Sequence, residues 1–137
     1  MQSLRPTLAI LPWGATEAHN YHLPQGTDTL QASGIAEASA ALANDRGATV
    51  CVLPAIPYGN NAQQLDQVTT IHFSTATAAA VLADVVNSLA KQNIRKLIIL
   101  NSHGGNEFKP LIRDLIASSG SLIAVVNWWQ LNPAFTK

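Results

Sequence analysis

A Gly/Pro-rich stretch near the start of the chain, residues 11–29 (LPWGATEAHNYHLPQGTDT), concentrates side chains that can bind a metal ion or move a proton. It contains Glu17, His19, His22 and Asp28, although the whole chain has only three glutamates and four histidines. A second stretch, residues 101–106 (NSHGGN), adds His103. Imidazole and carboxylate groups without a thiolate suit Zn²⁺ or Mn²⁺ better than copper or an iron–sulfur cluster. The pattern therefore raises the hypothesis of a metal site shared by two loops.

Each of these residues also has an ordinary structural explanation. Asp28 could cap a helix, and Glu17 could accept hydrogen bonds from loop amides. The loop histidines could be satisfied locally, and the His103-Gly-Gly segment could be a simple turn. The two loops together nevertheless hold three of the four histidines, which favours a metal site. His72 lies in a separate polar loop, and we interpret it as a non-ligand.

Composition indicates one globular domain and excludes several classes of function. The chain of 137 residues is 47% hydrophobic, which excludes a disordered protein. Only 12% of residues are charged and the net charge is zero, so no nucleic-acid or membrane partner is expected, and we expect a homo-oligomer. A single cysteine, Cys51, cannot form an intrachain disulfide, and no targeting segment is visible, so a cytoplasmic location is expected.

The hydrophobic pattern predicts an α/β fold. Four buried strands are expected at residues 7–13, 48–54, 95–101 and 121–129, alternating with helices at 29–45, 75–92 and 107–118. This alternation predicts a mainly parallel four-stranded sheet between helices, a three-layer α/β/α architecture. In the strand order 2-1-3-4, the loops after the first and third strands meet at one edge, where such sheets bind ligands.

The two motifs together resemble the creatininase (creatinine amidohydrolase) family. The combined pattern E-x-H-x2-H-L-P-x2-T-D with a distant H-G-G-N is specific, and the resemblance covers nearly the whole chain. It implies a creatininase-like fold, one or two Zn²⁺ or Mn²⁺ ions, and commonly hexameric assembly. It also implies hydrolysis of a C–N bond in a cyclic amide, formamide or similar small-molecule amide substrate by a metal-activated water.

The resemblance also implies roles for individual residues. Glu17 and His103 look like ligands of one ion, His19 looks like a ligand of the second, and Asp28 looks like the bridge between them. His22 would face the substrate or support the ligands. We therefore predict Glu17, His19, Asp28 and His103 as metal ligands, and Glu17 and His22 as catalytic residues.

Some positions depart from the family pattern. Creatininase has a second-ion glutamate where this chain has Gly105, and Asn20 replaces a usual glycine. Other members supply that glutamate from a later H-A-G-x2-E-T-S segment, which does not occur before Lys137. We therefore expect residues 1–137 to form one domain that lacks the C-terminal portion of the family. The tryptophans of the end segment, residues 127–137 (NWWQLNPAFTK), should then be covered by something further.

Two other functions are consistent with parts of the sequence. The missing glutamate favours a non-catalytic family member that acts as a metal-binding or assembly module. A flavodoxin-like nucleotide-binding module is disfavoured because no G-x-G-x-x-G or phosphate loop follows the first strand.

Overall fold

The computed structural model describes residues 5–132 and 134. Its regular elements, in chain order, are β1 (Leu8–Trp13), α1 (Thr27–Asp45), β2 (Val50–Val52), α2 (Thr75–Lys91), β3 (Lys96–Asn101), α3 (Lys109–Ser119), β4 (Leu122–Asn127) and a 3-10 helix (Trp128–Gln130). The four strands are parallel and lie in the order β2-β1-β3-β4. The predicted α/β fold is therefore confirmed. The ends of the predicted domain, residues 1–4, 133 and 135–137, lie outside the described residues.

Local sequence signals explain where two of the helices begin and end. Ser74 precedes α2, and its hydroxyl accepts a hydrogen bond from the Thr77 amide, a cap that typically stabilises a helix by about 1 kcal/mol. Pro110 lies in the first turn of α3, where backbone N–H groups have no acceptor within the helix, so the N–H that proline lacks is not needed. The helix ends at Gly120, whose positive φ of 67° satisfies a left-handed cap.

Helices cover the two faces of the sheet differently. On one face, α2 and α3 pack against β1 and β3 through Leu82, Ile112 and Trp13, among other buried side chains. On the other face, α1 presents Ala36 and Ala40 to the sheet, and these small side chains allow the helix to approach closely. The sheet is thus the middle layer of three, and its central strands are fixed from both sides.

The structure corrects several element boundaries. The second strand is shorter than predicted because Pro54 lacks an N–H, although pairing with β1 resumes where the Ile56 amide donates to the Pro12 carbonyl at 3.0 Å. The fourth strand ends at Asn127, and both tryptophans that follow belong to the 3-10 helix and are half-buried. The first helix begins at Thr27, which places Asp28 in its first turn.

The long polar loop between β2 and α2 returns to the carboxyl end of β1. Isolated bridges join Thr16 to Ile71 and Gly59 to His72. The loop is thereby held beside the segment that carries the predicted ligands. Among the helices of residues 5–132, none combines the length and the apolar character needed to cross a membrane.

Candidate metal centre

The sheet brings the two ligand-bearing loops to one edge. β1 and β3 are neighbours, with Trp13 paired to Asn101 at their carboxyl ends. The loop after β1 carries Glu17 and His19, and the loop after β3 carries His103. Asp28 reaches the same place from the first turn of α1. All four predicted ligands therefore meet, as the predicted strand order requires.

Three of them form a buried group. Glu17, Asp28 and His103 are each no more than 8% exposed, and each offers a ligand atom within 4.8 Å of the others. His103 Nδ1 lies 3.1 Å from Glu17 Oε1 and 3.2 Å from Asp28 Oδ2. One nitrogen and two carboxylate oxygens thus converge on one small volume.

The orientation of the His103 ring is fixed from behind. Its Nε2 lies 2.8 Å from the carbonyl oxygen of Asn60, which can only accept a hydrogen bond, so we assign the ring proton to Nε2. In the neutral ring, the lone pair of Nδ1 then faces the oxygens of Glu17 and Asp28. A lone pair facing two acceptors is favourable only with a cation or a proton between them. Metal-ligating histidines are held in this way, by a hydrogen bond from the distal nitrogen.

His19 repeats this arrangement at the other oxygen of Asp28. Its Nδ1 lies 3.1 Å from the backbone carbonyl of Glu17, which places the proton on that nitrogen, and its Nε2 lies 2.9 Å from Asp28 Oδ1. Each oxygen of Asp28 therefore faces a different histidine, Oδ1 towards His19 and Oδ2 towards His103. This is the disposition that a carboxylate bridging two ions would need.

The ionisation of the group reflects its burial and its crowding. Burial raises the pKa of Glu17 against the opposing attraction of His103, and a hydrogen bond with Asp28 raises that pKa further. For Asp28, burial alone would raise the pKa, but hydrogen bonds with His103 and Glu17 outweigh it and lower the pKa. Burial alone would lower the pKa of His103, but the hydrogen bonds with Asp28 and Asn60 and the charge of Glu17 raise it. The surroundings thus favour the protonated forms of His103 and Glu17 and the ionised form of Asp28.

Two buried oxygen atoms test whether this group fits a metal. Glu17 Oε2 and Asp28 Oδ2 are buried and accept no hydrogen bond of good geometry, although Asp28 Oδ2 faces His103 Nδ1 at 3.2 Å. A buried carboxylate oxygen without a partner is costly, and a divalent cation would satisfy both atoms. The alternative that Asp28 caps α1 is not supported. The N-cap residue is Gly26, and the carboxylate of Asp28 faces His19 and His103. The donor set and the unpartnered oxygens fit Zn²⁺ or Mn²⁺.

The remaining candidates lie outside the buried group. His22 is exposed on the loop after β1, so its catalytic role stays a prediction. The ring of His72 accepts a hydrogen bond from the Asn61 amide at 3.0 Å and so supports the polar loop. Gly105 is exposed and offers no carboxylate to a second ion.

Sequence reasoning missed two asparagines beside the site. Asn60 supplies the carbonyl behind His103, and the side chain of Asn106 bonds the Asn60 amide at 3.0 Å. Asn106 is the last letter of the H-G-G-N motif, which was a usable signal. Asn60 acts through its backbone, so its residue type carried no signal.

The known proteins that this chain matches agree on one family. A model of the family described as creatininase, creatinine amidohydrolase, matches residues 2–136. The chain belongs to the creatininase family. A mycofactocin precursor peptide peptidase from Mycobacterium tuberculosis is 31% identical over 111 residues, and a creatinine amidohydrolase from Pseudomonas putida is 28% identical over 102 residues.

Solved structures give the same result. A crystal structure from Bacteroides fragilis, assigned as a creatinine amidohydrolase, superposes with a TM-score of 0.91 at 44% identity and is matched by 95% of this chain. A manganese form of creatininase shares the fold, with a TM-score of 0.79 at 22% identity and a match to 93% of this chain.

The chain spans about half the length of the relatives it matches. The match to the Mycobacterium peptidase covers 77% of this chain and 43% of the peptidase. The match to the Pseudomonas enzyme covers 71% of this chain and 37% of the enzyme. It covers 53% of the Bacteroides chain and 53% of the manganese creatininase.

Proposed function

We propose that this chain carries the metal site of an amidohydrolase that cleaves the C–N bond of a cyclic amide, a formamide or a similar small substrate. The observation that carries the proposal is that one histidine nitrogen lies close to each oxygen of the buried Asp28, His19 Nε2 at 2.9 Å from Oδ1 and His103 Nδ1 at 3.2 Å from Oδ2. The family supports the reaction class, since its named relatives include an amidohydrolase and a peptidase.

The residues present have separate tasks. Glu17, Asp28 and His103 would hold one ion, and His19 with the second oxygen of Asp28 would hold part of another. A divalent ion bound there supplies a Lewis acid for the amide carbonyl and lowers the pKa of a bound water to near neutrality. Glu17, whose pKa is raised, can hold a proton at Oε2, which has no other partner. His22 would face the substrate, and its exposure on the same loop supports this role.

The test combines metal binding with a small panel of substrates. The purified chain should be stripped of metal, reloaded with Zn²⁺ or Mn²⁺, and assayed on a cyclic amide, an N-formyl amine and a short peptide. We expect metal-dependent opening of the cyclic amide to a single ring-opened product, or release of amine and formate from the N-formyl amine, and neither reaction with the Asp28→Ala variant. Cleavage of the peptide alone would move the assignment to the peptidase branch and contradict the non-peptide substrate.

A second candidate is a non-catalytic metal-binding or assembly module. It is favoured by Gly105, which offers no carboxylate where creatininase has a glutamate. Tight metal binding with no turnover on any substrate of the panel would select this alternative.

We also propose that the chain assembles with copies of itself, as a hexamer by the family resemblance, and works in the cytoplasm. The sparse charge of the chain supports self-association. Light scattering at micromolar concentration should give a mass several times that of one chain, and a stable monomer would contradict it.

A further inference from the structure

We propose that Asn106 is a positioning residue of the metal centre: through Asn60, it keeps His103 in the tautomer whose Nδ1 faces Glu17 and Asp28. The importance of this tautomer for metal binding rests on the proposed function. The tautomer itself is a property of the metal-free chain and can be tested without any activity.

The side chain of Asn106 connects three segments of the fold. Its Oδ1 accepts from the Asn60 amide at 3.0 Å. Its Nδ2 donates to the Gly14 carbonyl at 3.2 Å and to Asn101 Oδ1 at 3.1 Å. It therefore joins the polar loop to the carboxyl ends of both central strands. The loop is also held elsewhere, for example where Trp13 Nε1 donates to the Tyr58 carbonyl at 3.0 Å, and Asn106 fixes it at Asn60.

Asn60 in turn fixes the imidazole. Its carbonyl accepts from His103 Nε2 at 2.8 Å, and this residue is 43 positions away in the sequence. The backbone amide of His103 is held by Asn101 Oδ1 at 3.1 Å, the same oxygen that Asn106 contacts. Both the backbone and the ring of His103 are thus attached to one network. Loss of Asn106 would release the Asn60 end of it.

Two glycines pack against this network and leave no room for a side chain. A Cβ at Gly105 would lie 2.4 Å from the Asn60 carbonyl oxygen and 2.7 Å from His103 Nε2. A Cβ at Gly59 would lie 2.5 Å from Asn106 Oδ1. These distances are below van der Waals contact, so either side chain would force the network apart. The contact between Asn60 and His103 and a glutamate at position 105 therefore exclude each other on this backbone.

The first test reads the tautomer directly. Nitrogen-15 NMR of the metal-free chain distinguishes a proton on Nε2 from one on Nδ1, at a pH where the imidazole resonances no longer move. We expect His103 of the parent to carry its proton on Nε2. A parent spectrum with the proton on Nδ1 would overturn the proposal, whether or not any variant folds.

The second test disrupts the hydrogen bond between His103 Nε2 and the Asn60 carbonyl in two ways. Asn106→Ala removes the side chain that holds the Asn60 amide, and Gly105→Ala adds a methyl group that pushes the Asn60 carbonyl away. Both should mix the tautomers of His103 and weaken Zn²⁺ or Mn²⁺ binding, measured by calorimetry, by about tenfold to a hundredfold, as for outer partners of metal ligands.

Matched controls separate positioning from general damage. Gly104→Ala should change nothing, because a Cβ there meets no atom within 4 Å. Asn87→Ala, on the exposed side of α2, should behave like the parent. Circular dichroism identifies any variant that fails to fold. Folded Asn106→Ala and Gly105→Ala chains with a parental tautomer and metal affinity within twofold would refute the proposal. An inactive parent with the expected tautomer would refute the amidase function and leave this proposal intact.

Discussion

The two histidines of the site face the same aspartate but are held in different ways. His103 follows a central strand, has a side chain that is 9% exposed, and bonds a carbonyl 43 positions away in the sequence. His19 has a side chain that is 20% exposed, and it bonds the carbonyl of Glu17, only two positions before it. The residue after His19, Asn20, has a positive φ of 65°. His103 is therefore positioned by a contact between distant segments, whereas His19 is positioned by a hydrogen bond within its own loop.

This difference predicts unequal ion sites. Glu17, Asp28 and His103 would give one ion three protein ligands, which is the protein-ligand count of a catalytic zinc site. The other ion would have His19 and the shared Asp28 as its nearest protein ligands in the described part of the chain, with Glu17 Oε1 farther away, 3.7 Å from His19 Nε2. We therefore expect one well-occupied ion and a second that is weak or absent. Two tightly held ions in this chain would contradict the comparison.

The largest effect is expected at the residue that both sides share. Asp28→Ala should abolish binding of Zn²⁺ or Mn²⁺ altogether, because each oxygen of this carboxylate faces a different histidine. Elemental analysis after gel filtration measures the metal retained. Asp66→Ala, at an exposed position, is the matched control and should retain the parental metal content. Unchanged metal content after Asp28→Ala would show that the site lies elsewhere.

A smaller and unequal effect is expected at the two histidines. His103→Ala would remove a proposed ligand of the tighter ion and should lower the affinity for that ion by at least the hundredfold that outer partners can contribute. His19→Ala should leave that ion bound and remove only the weak one. Calorimetric titration of both variants with Mn²⁺ compares them directly. Equal losses in the two variants would mean that the sides are equivalent.

The sequence was informative where one rule decided the outcome. The β-α alternation predicted the sheet, and the placement of His103 after a strand beside β1 predicted its meeting with Glu17. The sequence was not informative where contacts between distant segments determine the structure. The end of β4 before Trp128 has no local signal, and the carbonyl of Asn60 contributes to the site without using its side chain. Backbone groups at a site are invisible to arguments from residue type.

The pH dependence of stability should separate the metal-free site from the loaded one. His103 and Glu17 have raised pKa values, so the folded chain holds their protons more tightly than the unfolded chain does. The stability from His103 is complete below its unfolded pKa of about 6.5 and is lost as the pH rises through the folded value. Asp28, with a lowered pKa, stabilises the fold above its unfolded value of 3.8, and this is lost as the pH falls through the folded value.

A bound metal should reverse the loss of stability with rising pH, because the metal ligands must be deprotonated to bind it. Urea unfolding with a chelator should show stability falling from pH 6 to pH 8, and unfolding with excess Zn²⁺ should show the stabilisation by metal growing over the same range. The variant His103→Gln should flatten the metal-free trend. Metal-free stability that rises over this range would contradict the assigned direction of the pKa values.

The smallest effect on metal binding is expected at His22, which shares the loop of His19 but is exposed. Since it lies outside the buried group, His22→Gln should keep the parental metal content and change the free energy of unfolding by no more than about 0.5 kcal/mol, as for most surface substitutions. If it faces the substrate, turnover should fall while the metal stays bound, so the assay must report metal content and rate on the same sample. Metal loss comparable to that of His19→Ala would instead make His22 a ligand and would give the exposed side of the site a third group.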